Sequence, residues 1–506
     1  MSSLFASQAK FIVRPTNAKN DDVRSGKNPI DSIFAFAETR PERSAIVGAK
    51  LNLNYKTFAS TVKRFAAKLR SEGLRPGNVV GLRLRPELQA IAVAAVMHEG
   101  AISFAATSSI LESHNKSIDF VITEETTWLT TKQKVISINA EWIASLGSIN
   151  SQVEIQNFAS DDSLALLVFS SGTTGVPKGI EFSIDLIHRR TDAAAKNWMP
   201  FHPFFAELGL DTVSGIQTYF WCLLHGETFY LPGSSEENLR LIQENGIRSI
   251  KTSPSKLIGL VAACNLAGGR LDGLKEVQVA GGLLSPPTAF GLAAISNAEL
   301  NYLYGSTEAG TVTKGRYEST DPEAVGQVVA EAEVRITDNH GRVLDVGQSG
   351  RLNVRTPYQA SKYWLSDGSP NSGFHDGWFV PGDTAVVDES GNLRVSGRID
   401  ELINAAGLKL NPSLIDSKMQ GYRGVRDLAS FGYKEPGSLQ RQLGLAVVLD
   451  DSISFERLHA RVKEVVPEIV HVAIVRVSEI PRNALGKPLR GQLAKLIEDK
   501  KDENVK

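Results

Sequence analysis

Cysteine is nearly absent: 506 residues contain two, Cys222 and Cys264. Neither sits in a metal-ligand or redox spacing, so the pair reads as small buried apolar side chains in a reducing, cytoplasmic compartment. Net charge is lacking too. Lys plus Arg (55) against Asp plus Glu (56) leave −1, which provides no broad field for nucleic acid or an anionic membrane surface. No long hydrophobic run is present. The most apolar window, AIAVAAVMHEGAISFAA, is broken by His98 and Glu99, so no integral membrane segment is expected. The opening MSSLFASQAKFIVRP lacks a basic segment followed by a long apolar stretch, so no secretory signal is expected. Internal repeats are missing, and the charged tail DKKDENVK is the one biased tract. What remains is ordinary globular composition, 42% hydrophobic and 22% charged, over a length that suggests about two to four domains.

The chain punctuates itself. TFASTVKRFAAKLRSEG places Phe58, Val62, Phe65, Ala66 and Leu69 at helical spacing before a stop at Gly73, and NVVGLRL follows as a strand. Leu164 to Phe169 reads as a short buried strand, and a helix capped by Ser183 comes after it. SIKTS, EVQVAGG and ELNYLYGS are short apolar runs that end in small or polar residues. Strand, loop and helix in alternation predict a layered α/β architecture whose ligands gather at the strand ends. After about Asp321 the texture changes. EVRITDNHGRVL, GRLNVRT and TAVVDESGNLRVSGR read as hairpins turning at DNHG and DESGN. Beyond Arg398 a shorter α/β stretch begins, with a helix from about Ser454 to Val465, so a boundary falls near Asp400.

One stretch is chemically loaded. In LLVFSSGTTGVPKGIEF, Gly172, Gly175 and Gly179 free the backbone, so several N–H groups can face one anion. Ser170, Ser171, Thr173 and Thr174 add hydroxyls and Lys178 adds a positive charge. Taken alone the string reads as a phosphate cradle or as a solvent-exposed Gly/Ser turn; it is not a Walker A loop, because Lys178 follows Pro177 and precedes Gly179. Further segments follow in order: YGSTEAG (304–310), WFVPGD (378–383) with SGRIDELI (396–403), and IPRNALGKPLR (480–490). Together with FSSGTTGVPKG they resemble the adenylate-forming (ANL) superfamily, which comprises acyl-CoA synthetases, peptide-synthetase adenylation domains and luciferases. The resemblance is specific from about Ser163 to Arg490 and general before that.

The resemblance implies a large multi-subdomain N-terminal AMP-binding body over 1–399, built of layered αβ sheets plus a small β-barrel-like part. A small mobile α+β C-terminal domain over 400–506 would carry the catalytic lysine. It also implies the chemistry. A carboxylate is a poor electrophile; attack on the α-phosphate of ATP converts it to acyl-AMP with loss of pyrophosphate, and a thiol then takes the acyl group. By resemblance, Ser170, Ser171, Gly172, Thr173, Thr174, Gly175 and Lys178 grip the β- and γ-phosphates. Gly281, Gly282 and Leu283 line the adenine and acyl pockets, and Tyr304 offers adenine a flat face beside Gly305 and Ser306. Thr307 meets the α-phosphate, and Glu308 helps hold Mg²⁺. Asp383 accepts the ribose hydroxyls with Arg398 close by, although Pro381 replaces a commoner Thr. Lys487 reaches the carboxylate, the α-phosphate and the bridging oxygen, where its ammonium stabilises two anions as they combine. Asp400 is the hinge, and the segment around Gly407 frames the thiol tunnel once the domain has turned.

The partners implied are a small-molecule carboxylic acid and either CoA or the phosphopantetheine of a separate carrier protein. The acid itself is not legible, because Trp198 to Gly226 departs most from the family. Asp211 suits either an amino-group substrate or a helix cap, and Phe220, Trp221 and Leu223 suit either an acyl-pocket lining or core. AELGLDTVSGIQ (206–217) resembles a phosphopantetheine attachment site with Thr212 in place of Ser, but no carrier domain surrounds it. Use of acyl-AMP without CoA, and binding without turnover, are the other functions compatible with these motifs.

Overall fold

A computed structural model of the chain describes residues 28–127, 133–149, 160, 162–170, 177–197, 201–364, 373–405, 408–434, 441–450, 453–469, 471–483 and 486–502. The first sheet has seven strands among the described residues. Its parallel part runs through Leu164–Ser170, Ile102–Ala105, Val79–Arg83, Phe120–Thr123 and Lys134–Ser137. Lys178–Ser183 and Tyr363–Trp364 add antiparallel at the other edge. The helix Tyr55–Ser71 buries Phe58, Val62, Phe65, Ala66 and Leu69, the stripe that its sequence spacing predicts. Asn54 caps it, accepting the Thr57 N–H at 2.8 Å. Phe58 and Phe65 are at most 1% exposed; removing either ring would cost about 3–5 kcal/mol.

The second sheet has twelve strands among the described residues. Phe204–Ala206, Ser249–Thr252, Glu276–Ala280 and Glu299–Ser306 lie parallel, with helices Pro254–Leu266 and Pro286–Ile295 between successive strands. Both helices start the same way: Ser253 and Ser285 cap, and a proline follows at the first helical position, where its missing N–H costs nothing. The C-terminal ends of these strands all point to one side, as parallel order requires. From Glu299–Ser306 the sheet continues antiparallel through Gly310–Arg316, Ala324–Val328, Asn392–Arg398, Asp383–Val387 and Gly350–Arg355. Asp388 makes the DESGN turn, its Oδ1 accepting the N–H groups of Ser390 and Asn392 at 2.9 Å each.

One hairpin differs from its sequence reading. The DNHG turn forms, with Asp338 Oδ1 accepting from His340 and Arg342, but the arm beyond it stops at an isolated Thr337–Val343 bridge, with the Leu344 N–H donating to the Ile336 carbonyl and the Asp338 N–H to the Arg342 carbonyl at 2.9 Å each. The strand Glu333–Thr337 instead pairs along its whole length with Gly350–Arg355. Apolar Val334, Ile336, Leu352 and Val354 are all buried there, so burial outweighed proximity in sequence.

After Arg398 comes a smaller α+β part. A sheet of Val425–Lys434, Arg441–Leu449 and Val472–Arg476 carries helices Pro412–Met419, Phe455–Val465 and Arg490–Asp502. Ser454 caps the second of these. Its apolar clusters, one around Ile403, Leu445 and Leu458 and one around Phe431 and Leu493, share no residue with the core of the body. Among the described residues no helix is long and apolar enough to cross a membrane.

Candidate active site

The strand ends of both large sheets open into one cleft of about 2040 Å³ that the C-terminal part closes from the other side. Ser170, Lys178, Gly281, Gly282, Leu283, Tyr304, Gly305, Ser306, Thr307, Glu308, Asp383, Arg398, Asp400 and Lys487 all line it. Ser171, Gly172, Thr173, Thr174, Gly175 and Gly407 lie outside the described residues. Ser170 and Lys178 face each other in antiparallel register at the two ends of that phosphate-loop stretch.

YGSTEAG turns on two contacts. Ser306 Oγ accepts the Ala309 N–H at 3.0 Å, and the chain folds back so closely that a Cβ on Gly305 would lie 2.3 Å from the Gly310 carbonyl oxygen. Only glycine fits there. The turn places Glu308 inside, 8% exposed, with its carboxylate accepting the Tyr363 hydroxyl at 3.0 Å. Arg190 holds the backbone of the same residue: Nη2 donates to the Glu308 carbonyl at 2.9 Å while Nε donates to the Tyr358 carbonyl at 3.0 Å. Burial pushes the Arg190 guanidinium down to about 9. The Lys178 ammonium lies 5.2 Å over the Tyr363 ring, within cation–π range.

Asp383 and Arg398 oppose each other across the hairpin. The Asp383 carboxylate accepts the Tyr304 hydroxyl. Burial raises its pKa, and the Tyr304 hydrogen bond and the positive charges of Arg398 and Lys487 pull the other way. Arg398 reaches the hinge candidate: Nε and Nη2 donate to the two Asp400 oxygens at 3.0 and 3.3 Å, and Nη1 donates to the Pro381 carbonyl at 3.0 Å. The Pro381 substitution therefore leaves Asp383 and Arg398 in place, because only a backbone oxygen is used there.

Lys487 sits at the tip of a tight loop. Its N–H donates to Asn483 Oδ1 at 2.9 Å and its carbonyl accepts the Asn483 N–H at 3.0 Å. Arg482 Nη1 braces the tip through the Gly486 carbonyl at 2.7 Å, while Nη2 bonds Asp427 at 2.6 Å. The tip presses on the body. Gly486 has φ +76°, and a Cβ there would fall 1.9 Å from Ser255 Oγ.

Two open readings resolve. The helix Val213–His225 is capped by Thr212, not Asp211: Thr212 Oγ1 accepts the Gly215 N–H at 3.1 Å and donates to the Gly209 carbonyl at 2.9 Å. Thr212 serves because its hydroxyl lies between the Gly209 carbonyl and the Gly215 N–H, where it uses both its donor and its acceptor. The same contacts engage and bury the hydroxyl of the attachment-like string. Asp211 lines the cleft instead. Phe220, Trp221 and Leu223 are core, fully packed and absent from the cleft wall. Sequence reasoning missed Arg190, Tyr363 and Lys251. HRRTD carries two adjacent arginines and SIKTS a lone lysine in a short apolar run, and neither pattern announces that Arg190 and Lys251 are buried in the fold.

The AMP-binding enzyme family model matches residues 33–364, and the chain belongs to this family. It is 22% identical to a 2-succinylbenzoate–CoA ligase of Geobacillus sp. (strain WCH70) over 90% of this chain and 95% of that protein. A medium/long-chain-fatty-acid–[acyl-carrier-protein] ligase, FadD10, of Mycobacterium tuberculosis is 27% identical over 66% of each. Its fold is that of the o-succinylbenzoate CoA synthetase from Bacillus subtilis solved with its acyl-adenylate intermediate, at a TM-score of 0.79, 20% identity and coverage of 91% of this chain and 97% of the other.

Proposed function

We propose that the chain is an acid–thiol ligase that activates a carboxylic acid with ATP as acyl-AMP and passes the acyl group to a thiol, CoA in the first reading. The observation that carries this is convergence: Thr307, Glu308, Asp383, Arg398 and Lys487, spread over 181 positions (487 − 307 + 1), line one cleft. A surface of solvated charges has no need of that arrangement.

In this reading the stretch from Ser170 to Lys178 grips the β- and γ-phosphates, and Gly281, Gly282, Leu283, Gly305 and Ser306 bring backbone close to the nucleotide. Tyr304 braces Asp383, whose carboxylate accepts ribose hydroxyls with Arg398 beside it. Thr307 donates to the α-phosphate. Glu308 suits Mg²⁺, which takes one or two carboxylates and completes its shell with phosphate oxygens and water. Among the described residues no group of three or more His, Cys, Asp or Glu forms a protein-only cage, which is consistent with that mode. When bound, the ion would offset phosphate charge. The acid's carboxylate oxygen then attacks the α-phosphorus, the bond to the β-phosphate oxygen breaks, and pyrophosphate leaves. Lys487 stabilises the negative charge shared by the two reacting groups.

A body over 1–399 and a C-terminal domain over 400–506 fit the separate apolar clusters on either side of Asp400. Rotation about Asp400 would withdraw Lys487 and bring the segment of Gly407 to the acyl-AMP. The thiolate sulfur would then attack the acyl carbon and expel AMP. The mycobacterial relative's name favours a second reading in which a carrier protein supplies the thiol. The two free, buried cysteines support a cytoplasmic setting.

The test is incubation with ATP, Mg²⁺, hydroxylamine and a pool of aliphatic, aromatic and amino acids, with hydroxamates read by mass spectrometry. A hydroxamate that needs both ATP and Lys487 is expected. None from any acid, with or without a thiol acceptor, would contradict the assignment.

A further inference from the structure

Arg190 belongs to none of the motifs, yet it is an arginine only 2% exposed. It stands on the helix Ile184–Asn197, which follows directly on the strand Lys178–Ser183 that leaves the phosphate-loop stretch. Its own place is fixed from two sides. The Arg190 carbonyl accepts Gln217 Nε2 at 2.8 Å, and the guanidinium lies 4.5 Å over the Phe182 ring.

The guanidinium reaches backbone: Nη2 meets the Glu308 carbonyl and Nε the Tyr358 carbonyl. The Glu308 carbonyl also accepts the Ala360 N–H at 2.7 Å. The same two segments are stapled twice more. Thr356 Oγ1 donates to the Ala309 carbonyl at 2.7 Å, and the Tyr358 hydroxyl donates to the Thr311 carbonyl at 2.9 Å. Those staples remain without Arg190, so the corner does not hang on it alone.

What Arg190 adds is a cation. Its Nη1 has no hydrogen-bond partner among the described residues, and Glu308 supplies the opposing charge that acts on it most. Burying a charge without a full set of partners is costly, and neutral donors would suffice to brace two carbonyls. Departures of this kind collect at functional sites. Here the functional group is Glu308, held at both ends: its carboxylate accepts the Tyr363 hydroxyl and its carbonyl accepts Arg190. A carboxylate fixed in advance has little freedom left to lose when a cation binds.

We propose that Arg190 is a positioning residue, which holds Glu308 from behind and so sets that carboxylate for the Mg²⁺ that accompanies ATP. The inference rests on the ligase reading above, in which Glu308 meets the metal, and it adds a residue that no motif contains.

The experiment uses the full chain and two calorimetric titrations, ATP with Mg²⁺ and ATP with EDTA. The ratio of the two dissociation constants measures how far the metal tightens nucleotide binding. Arg190→Met keeps the length and loses the charge and the donors. It should lower the wild-type ratio by about tenfold, the scale for an outer partner of a metal ligand, while binding in EDTA holds. A brace that is structural and nothing more would weaken both titrations alike and leave the ratio unchanged, which overturns the inference. So does a wild-type ratio near one. Arg190→Lys keeps the charge but has one nitrogen for two carbonyls, so its ratio should fall by roughly threefold. Should Arg190→Met fail to fold, Arg190→Lys decides: that fall supports the inference and an unchanged ratio overturns it. The hydroxamate assay keeps the two readings apart. No hydroxamate from any acid, with a ratio that depends on Arg190, fails the ligase reading and leaves this inference standing. Hydroxamates with an unchanged ratio do the reverse.

Discussion

The Tyr363 hydroxyl donates to a Glu308 carboxylate oxygen at 3.0 Å, joining two buried groups 55 positions apart. Tyr363 stands on the short strand paired with Lys178–Ser183, and the Lys178 ammonium rests over its ring. One side chain thus ties the strand leaving the phosphate-loop stretch to the proposed magnesium ligand. Tyr363→Phe removes the hydroxyl and keeps the ring. It should raise the Mg²⁺ concentration for half-maximal adenylation by about tenfold, the usual scale for losing a hydrogen bond behind a ligand. Stability should fall by about 1 kcal/mol. A titration of initial rate against Mg²⁺ checks the first value, and urea unfolding checks the second. An unchanged Mg²⁺ curve would remove Glu308 from the metal site.

Gly486 is the contact point between the lysine loop and the body. Gly486→Ala would bring Cβ onto Ser255 Oγ and strain a backbone at φ +76°. The body cannot yield easily there, because Ser255 lies in the first turn of the helix Pro254–Leu266 and its Cβ as well would be only 2.6 Å away. The loop must therefore retreat and take Lys487 with it. Adenylation should fall by about 10–100-fold, in keeping with small misplacements of reacting groups, while acyl transfer from supplied acyl-AMP should hold. Equal losses in both assays would mean that the contact is not used in the first half-reaction.

Asp383 gives a pH signature. Burial holds its carboxyl above the ordinary carboxylate range in the folded chain. The folded form thus keeps its proton to higher pH than the unfolded form, so stability falls as pH rises from the ordinary range through the raised value. Asp383→Asn, which carries no charge but still offers an acceptor to Tyr304, should melt higher than the wild type at pH 7. That advantage should shrink as the pH is lowered through the same window and vanish below it. The ATP KM should rise by about tenfold or more, as expected when hydrogen bonds to a charged group are lost. A melting series from pH 3 to 8 decides; a wild type more stable than the variant at pH 7 would reverse the sign argued here.

Much of this was legible in the residues. The run Leu164 to Phe169 and its Ser183-capped sequel form the strand and helix that their spacing predicts. Asp383 and Arg398 are joined by a turn whose Asp, Asn and Gly content announces a hairpin, so their opposition follows from local chemistry. Arg190 and Lys251 were not legible. Arg190 sits in a helix beside a second arginine and reads as a solvated face, yet the 356–360 segment and Glu308 bury it. Lys251 is the one charge in a short run that reads as a strand, and its central place between two parallel neighbours makes it interior. Asp211 and Thr212 are both good caps by type; which one serves depends on where Gly209 and Gly215 come together in space.

The central claim is that one cleft runs two half-reactions and that Lys487 serves only the first. The direct measurement is a pair of single-turnover assays on Lys487→Ala: formation of acyl-AMP from acid and ATP, and formation of thioester from supplied acyl-AMP and CoA. The account predicts a loss of about 10²–10⁴-fold in the first, the scale of removing a transition-state charge stabiliser, and at most a few-fold change in the second. Equal losses in both half-reactions would contradict it.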